Sequence, residues 1–159
     1  MSVVIGIDPG LHGGMAALTP DGLDLRVMPV VAVGQKHQYD EQAVVAWLTT
    51  YAVQRAHVFI EAVHAMPGQG VTSMFTFGAG FGLLRGVCAG LGMSYELVRP
   101  QEWQRAMLAG QPQGSEYLVA SRLWPNADWR ASERARTPHD GMVDAALIAE
   151  FGRRRIGGA

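Results

Sequence analysis

Apolar and polar positions fall into two rhythms along the chain. Val3–Asp8 is a β-branched run closing on a carboxylate, the pattern of a buried strand. Gly10, Gly13 and Gly14 mark a turn, and Met15–Leu18 resumes as a second strand. Pro20-Asp21-Gly22 is a hairpin signal leading to a third strand near Leu23–Met28. Pro29–Tyr39 is expected to be a loop. Asp40 suits the N-cap of a helix over Glu41–Val53, with Val44, Val45, Trp47 and Leu48 as its apolar face. His57–Glu61 is a fourth strand, Ala62–Gly70 a loop, and Val71–Leu91 a long helix. Met93–Val98 is the fifth strand, and Pro100 opens a helix in its first turn. A helix over Ser115–Leu123, an irregular stretch over Trp124–Pro138 and a last helix over Asp140–Arg153 complete the chain. Three strands followed by alternating helices and strands predict an α/β fold, a mixed five-stranded sheet flanked by helices, in one domain over residues 1–159.

The long helix has an unusual face. Gly78, Gly82, Gly86 and Gly90 recur at every fourth residue and so line up. Each costs a helix interior about 1 kcal/mol relative to alanine. A bare stripe lets another backbone approach closely, either a second copy of the chain or the domain's own sheet.

Composition narrows the class. Hydrophobic residues make up 48% of the chain and charged residues 17%, which describes a packed globule rather than a disordered segment. No basic leader precedes an apolar run at the start. No stretch approaches the roughly 18 apolar residues that a membrane span needs, so no membrane association is expected. Cys88 is the one cysteine and has no internal partner, which fits a reducing cytoplasm. The net charge of −1 argues against a generally basic nucleic-acid binder. Lys36 is the only lysine, and the remaining cations are arginines, whose guanidinium pairs with phosphate in two-pronged fashion. A GC-rich genome would produce the same bias.

Four carboxylates carry the chemistry. Asp8 and Glu61 close two strands, and Asp140 and Asp144 lie four apart on one face of the last helix. Sites gather at strand ends in such folds. Singly, each has an ordinary explanation: a turn at Asp8-Pro9, a strand-end charge at Glu61, an N-cap at Asp140, a dipole-complementing charge at Asp144. Together they form a set of hard oxygen ligands suited to Mg²⁺ or Mn²⁺. Two such ions about 4 Å apart can activate a water and stabilise a leaving oxygen in phosphodiester hydrolysis.

Four segments resemble the RuvC-type Holliday junction resolvases of the ribonuclease H-like superfamily, phage-borne members most of all. They are Ile5-Gly6-Ile7-Asp8-Pro9-Gly10, Phe59-Ile60-Glu61, Arg99-Pro100-Gln101-Glu102-Trp103 and Asp140-Gly141-Met142-Val143-Asp144-Ala145-Ala146-Leu147. The endings Leu123-Trp124-Pro125 and Ala149-Glu150-Phe151-Gly152-Arg153-Arg154 are similar too. The resemblance implies a homodimer acting on branched DNA, four-way junctions above all. It implies symmetric paired nicks made with two Mg²⁺ ions per site. Asp8 would bridge both metals, Glu61 and Asp144 would each help hold one, and Asp140 would complete the site or orient water. The family's dimer helix falls where Gly78, Gly82 and Gly86 stand. Two departures matter. The last two acids are usually three apart in bacterial members, whereas here Gly141 stands three before Asp144. Asp140 is preferred for the fourth role, with His139 as a possible proton shuttle or an ordinary loop histidine. The DNA-surface lysines are absent, Gln104 and Gly114 standing near their places, with Arg105 as a candidate substitute.

Candidate phosphate contacts are Arg85, Arg99, Arg105, Arg122, Arg130, Arg134, Arg136 and the run Arg153-Arg154-Arg155, the last because clustered charge near a chain end often binds polyanions. Each is otherwise a solvated surface charge. His64 stands where bacterial members place an aromatic that stacks on a base, and is otherwise a loop histidine. Trp103 could stack or anchor its helix. Three other functions compete: an actin-like ATP-binding module, which needs a second phosphate loop absent from this sequence; an inactive DNA-structure binder; and a same-fold nuclease for forks, flaps or hybrids.

Overall fold

The computed structural model describes residues 2–62, 68 and 70–158. Its strands are β1 (Val4–Asp8), β2 (Gly14–Thr19), β3 (Gly22–Val27), β4 (Val30–Val33), β5 (Lys36–Tyr39), β6 (His57–Glu61) and β7 (Ser94–Val98). Its helices are α1 (Glu41–Ala52), α2 (Val71–Gly90), α3 (Pro100–Met107), α4 (Glu116–Leu123) and α5 (Asp140–Gly157). Five strands form a mixed sheet in the order β3-β2-β1-β6-β7. β2 runs antiparallel to β1 and β3, while β1, β6 and β7 run parallel.

The two-residue period of the strands decides which helix each side chain meets. Ile5 and Ile7 of β1, Met15 and Ala17 of β2, and Val58 and Ile60 of β6 point to one face, where Val44, Trp47 and Leu48 of α1 and Leu84 and Cys88 of α2 cover them. Val4, Ala16 and Phe59 point to the other, against Ala145, Leu147 and Ile148 of α5 and Trp103 of α3. α1 starts where expected, the Asp40 side chain accepting from the Ala43 N–H. Its far end is tied to β3, because Trp47 Nε1 and the Tyr51 hydroxyl both donate to Asp24.

α5 lies flush on β1 and β2 because small residues line both sides of the contact. A Cβ on Gly14 would stand 2.5 Å from the Gly141 carbonyl oxygen, and one on Gly141 would stand 2.6 Å from that of His12. Gly13 and Gly141 form a bridge at the same place. Every residue from Gly141 to Gly152 is buried except Asp144. α5 also runs on past Arg153 to Gly157, with Glu150 pairing Arg153 and Arg154 along its surface.

Two expectations are corrected. Pro29–Tyr39 is no loop: β4 and β5 pair antiparallel through a two-residue turn at Gly34-Gln35, where Gly34 has φ +62°. The glycines of α2 do not pack on the domain's own sheet, since among the described residues a Cβ on Gly78, Gly82, Gly86 or Gly90 would meet nothing within 4 Å. Only Gly80, Leu84 and Cys88 of this helix are buried. α2 is also long and apolar enough to span a membrane by length and composition, with mean hydropathy 1.2. It nevertheless connects the parallel neighbours β6 and β7, a connection that must cross back over the sheet.

The fit of α5 against β1 is testable at Gly6. In Gly6→Ala the new methyl would stand 2.0 Å from the Ala145 carbonyl oxygen and 2.4 Å from the Ala149 nitrogen, both backbone atoms. Overpacking ordinarily costs about 1–3 kcal/mol, and rigid backbone on both contacts puts this change at the upper end or beyond. Urea unfolding should show a lower midpoint with the slope unchanged. A midpoint equal to the parent's would mean that α5 can lift off β1 freely.

Candidate active site

β1 and β6 are parallel neighbours with Ile7 opposite Ile60. One residue further on, Asp8 and Glu61 emerge side by side at the same sheet edge, on strands about 4.8 Å apart. The strand period turns both toward the face that α5 covers, since Gly6 and Phe59 precede them there. α5 begins at this edge, and its first full turn delivers Asp144. Asp8, Glu61 and Asp144 are all half-buried.

Their electrostatics follow from that placement. Burial, with repulsion from Glu61 and Asp144, pushes the Asp8 carboxyl up from 3.8 to about 8. Burial, with repulsion from Glu61, Glu116 and Asp140, pushes Asp144 up from 3.8 to about 7. Glu61 is raised by burial and partly restrained by a hydrogen bond from Trp103 Nε1 to its Oε2 at 2.6 Å. Trp103 is fully buried, so it anchors α3 and cannot stack on a base. Its N–H aims Glu61 instead.

Asp140 opens α5, one turn before Asp144, and is exposed, outside the buried trio. His139, not Asp140, is the N-cap: its Nδ1 accepts from the Met142 N–H at 3.3 Å. Burial lowers the His139 pKa, which favours the neutral ring that capping needs. His139 thus stands just outside α5, as a histidine beyond the helix would, with its Nδ1 engaged in the cap. Among the described residues no three His, Cys, Asp or Glu side chains stand close enough together to enclose an ion. The donor chemistry still fits a hard cation. Asp8, Glu61 and Asp144 offer only carboxylate oxygens, and their raised pKa values show a cluster short of positive charge.

The other expected site residues are dispersed. Arg99 caps α3 directly after β7, on the same sheet edge as Asp8 and Glu61, and Arg105 is exposed in the last turn of α3. Arg85 lies on α2, its guanidinium 5.6 Å from the Phe81 ring centre. Arg153 and Arg154 are both engaged within α5. They hold the buried Glu150 at 2.6 and 2.8 Å, beyond the middle of α5 and away from the end bearing Asp144. Arg155 pairs with Glu102 at 2.8 Å, and Arg130 with Asp128 at 2.8 Å. His64 lies outside the described residues.

Sequence reasoning missed Glu116, whose charge bears on Asp144 from the start of α4. Nothing local in the sequence announces it. It also missed a cavity of about 810 Å³ beside Asp8, walled by the β4–β5 hairpin and the first turns of α2. Of the four carboxylates only Asp8 lines it.

No family model matches the chain, and no curated protein matches it. Solved structures do. The Thermus thermophilus RuvC structure aligns at TM-score 0.55 and 19% identity, covering 98% of this chain and 96% of that one. T. thermophilus RuvC in complex with Holliday junction substrate aligns at TM-score 0.57 and 17% identity, with the same coverage. The yeast mitochondrial Holliday junction resolvase aligns at TM-score 0.57 and 14% identity, covering 95% of this chain and 77% of that one. The chain has their fold, the ribonuclease H-like mixed sheet flanked by helices.

The acid cluster predicts an unusual pH dependence of stability in chelator. The folded state keeps the Asp8 proton up to about pH 8, whereas the unfolded chain releases it near 3.8. The native state therefore binds more protons in that window, and stability falls as pH rises through it. Melting temperature in EDTA should drop across this range. Asp8→Asn should flatten the drop and melt higher than the parent at the alkaline end. Parallel curves for the two proteins would show that Asp8 is not the buried acid described.

Proposed function

We propose that the chain is a structure-selective endonuclease that resolves four-way DNA junctions by metal-dependent phosphodiester hydrolysis, leaving symmetric paired nicks. The observation that carries this reading is the convergence of Asp8, Glu61 and Asp144 from β1, β6 and α5 at one edge of a RuvC-like sheet. The solved structures of that fold include one with a Holliday junction substrate.

Asp8, Glu61 and Asp144 would hold Mg²⁺, or Mn²⁺ in its place, and two ions there supply activation of water and stabilisation of the leaving oxygen. The protein's own contribution is orientation. Trp103 fixes Glu61. The His139 cap and the Gly13–Gly141 contact fix the start of α5, and so Asp144, against Asp8. Asp140, exposed one turn away, is placed to orient water at the rim. Arg99 stands on the same edge, where it can meet a phosphate.

Paired nicks need two sites, and the outer face of α2 supplies the means to pair them. Val71 and Phe75 are 80% and 78% exposed on it, and the open glycines Gly78, Gly82 and Gly86 would let a second α2 approach closely. The chain is therefore read as a homodimer through α2.

Two measurements test this. On a labelled synthetic four-way junction, the parent should make paired nicks in Mg²⁺ and none in chelator, and Asp8→Asn should lose at least about a hundredfold in rate, as loss of a charge-stabilising group commonly does. Equal cutting of forks would widen the substrate, tight binding without nicks would make the protein a binder instead of a nuclease, and absence of both binding and cutting would overturn the reading. In sedimentation equilibrium at micromolar concentration the parent should be a dimer and Gly82→Leu a folded monomer. A monomeric parent rules the α2 dimer out.

A further inference from the structure

The β4–β5 hairpin was expected to be a loop, and the acid cluster does not use it. It is nevertheless fixed to the site at several points. The Tyr39 hydroxyl accepts from the Gly10 N–H at 2.7 Å, two residues past Asp8. The Tyr39 ring fills the space over Gly80 of α2, where a Cβ would stand 2.2 Å from a ring carbon. At the hairpin's base, Asp40 N–H donates to the Pro29 carbonyl, and Met28 N–H donates to that of Gly13. The hairpin thus keeps a set position relative to Asp8, and the 810 Å³ cavity lies between it and α2. That volume lies in the range of ligand-sized pockets, about 300–1,000 Å³.

The lining has a mixed chemistry. Lys36 and His37 come from the hairpin, Thr72, Ser73 and Phe77 from α2, and Asp8 from the catalytic strand. Lys36 is the chain's only lysine, and among the described residues it has no ion-pair partner. The arginines Arg130, Arg153, Arg154 and Arg155, by contrast, are committed to carboxylates. A free cation, hydroxyl donors and an aromatic ring beside one another suit a single nucleic-acid strand, whose phosphates take the charged and hydroxyl donors and whose bases take the ring. The cavity is also continuous with Asp8, where the scissile phosphate would sit.

We propose that the hairpin is a strand guide: the cavity receives the nucleic-acid strand next to the scissile phosphate, with Lys36 on a backbone phosphate and Phe77 against a base. This rests on the nuclease reading above and adds to it the surface that sets the path of the cut strand.

The test is site-directed photo-cross-linking. Cys88 is fully buried, so Lys36→Cys provides the one accessible thiol for an aryl azide. The labelled variant is bound to a four-way junction in chelator and irradiated, and the cross-linked nucleotide is mapped against the nick made by the parent in Mg²⁺. Cross-links confined to the few nucleotides flanking the nick, on the cut strand, are expected. The reference is Val53→Cys, 81% exposed at the end of α1, which should give only background. Lys36→Gln should weaken junction binding several-fold and lower the salt dependence by about one phosphate contact, and Lys36→Arg should restore both. Cross-linking no stronger than the Val53 reference, or lying only in the duplex arms, overturns the proposal. If the parent cuts junctions while Lys36 is silent, the strand guide alone falls. If the parent neither binds nor cuts branched DNA, the nuclease reading falls and the guide with it.

Discussion

The structure depends on how closely α5 can lie against β1 and β2. Glycine and alanine meet glycine and alanine along that contact, at Gly6, Gly14 and Ala16 on the sheet and at Gly141, Ala145 and Ala149 on the helix. Nothing larger fits without moving backbone. The closeness brings the start of α5 to the edge where β1 and β6 end, and so sets Asp144 beside Asp8 and Glu61. It also explains why nearly the whole middle of α5 is buried, an uncommon position for a helix that begins with two carboxylates a turn apart.

Placing acids in such a setting is costly, and the surroundings show where the strain is taken up. Asp8 and Asp144 are held far above ordinary carboxylate values by burial and by repulsion from neighbouring acids. Glu61 has Trp103 as a donor. The neutral His139 ring, rather than another acid, caps α5. A hard divalent cation is the simplest group that would relieve this arrangement, so the proposed metal site has an electrostatic argument of its own.

Much of this was readable in the residues themselves. The five sheet strands and α5 declared themselves through β-branched runs and through the Asp140–Asp144 spacing, because those signals are local. The Asp40 cap was visible for the same reason. The β4–β5 hairpin was not, although Val30–Val33 ahead of Gly34 carried a strand signal. Its valines are exposed rather than alternating with buried positions, and glycine, lysine and histidine around the turn suggested a loop. The pairing of Arg153 and Arg154 was not legible because their partner, Glu150, looks from sequence like one more surface acid, and only packing reveals it as buried. Glu116 reaches Asp144 through tertiary contact alone. Residues that meet across long separations leave no periodic trace.

The order in which the site is assembled has a consequence for synthesis. Asp8 lies on the first strand and Glu61 on the sixth, but Asp144 belongs to α5, and the sheet face bearing Val4, Ala16 and Phe59 lacks its main cover until α5 arrives. A partly translated chain therefore exposes an apolar surface and carries an incomplete set of acids. The packing of α5 on β1 and β2 joins segments far apart in sequence, the kind of contact that forms late and slowly. The acid cluster is complete only once α5 has been made and packed, so a product truncated before α5 lacks Asp144.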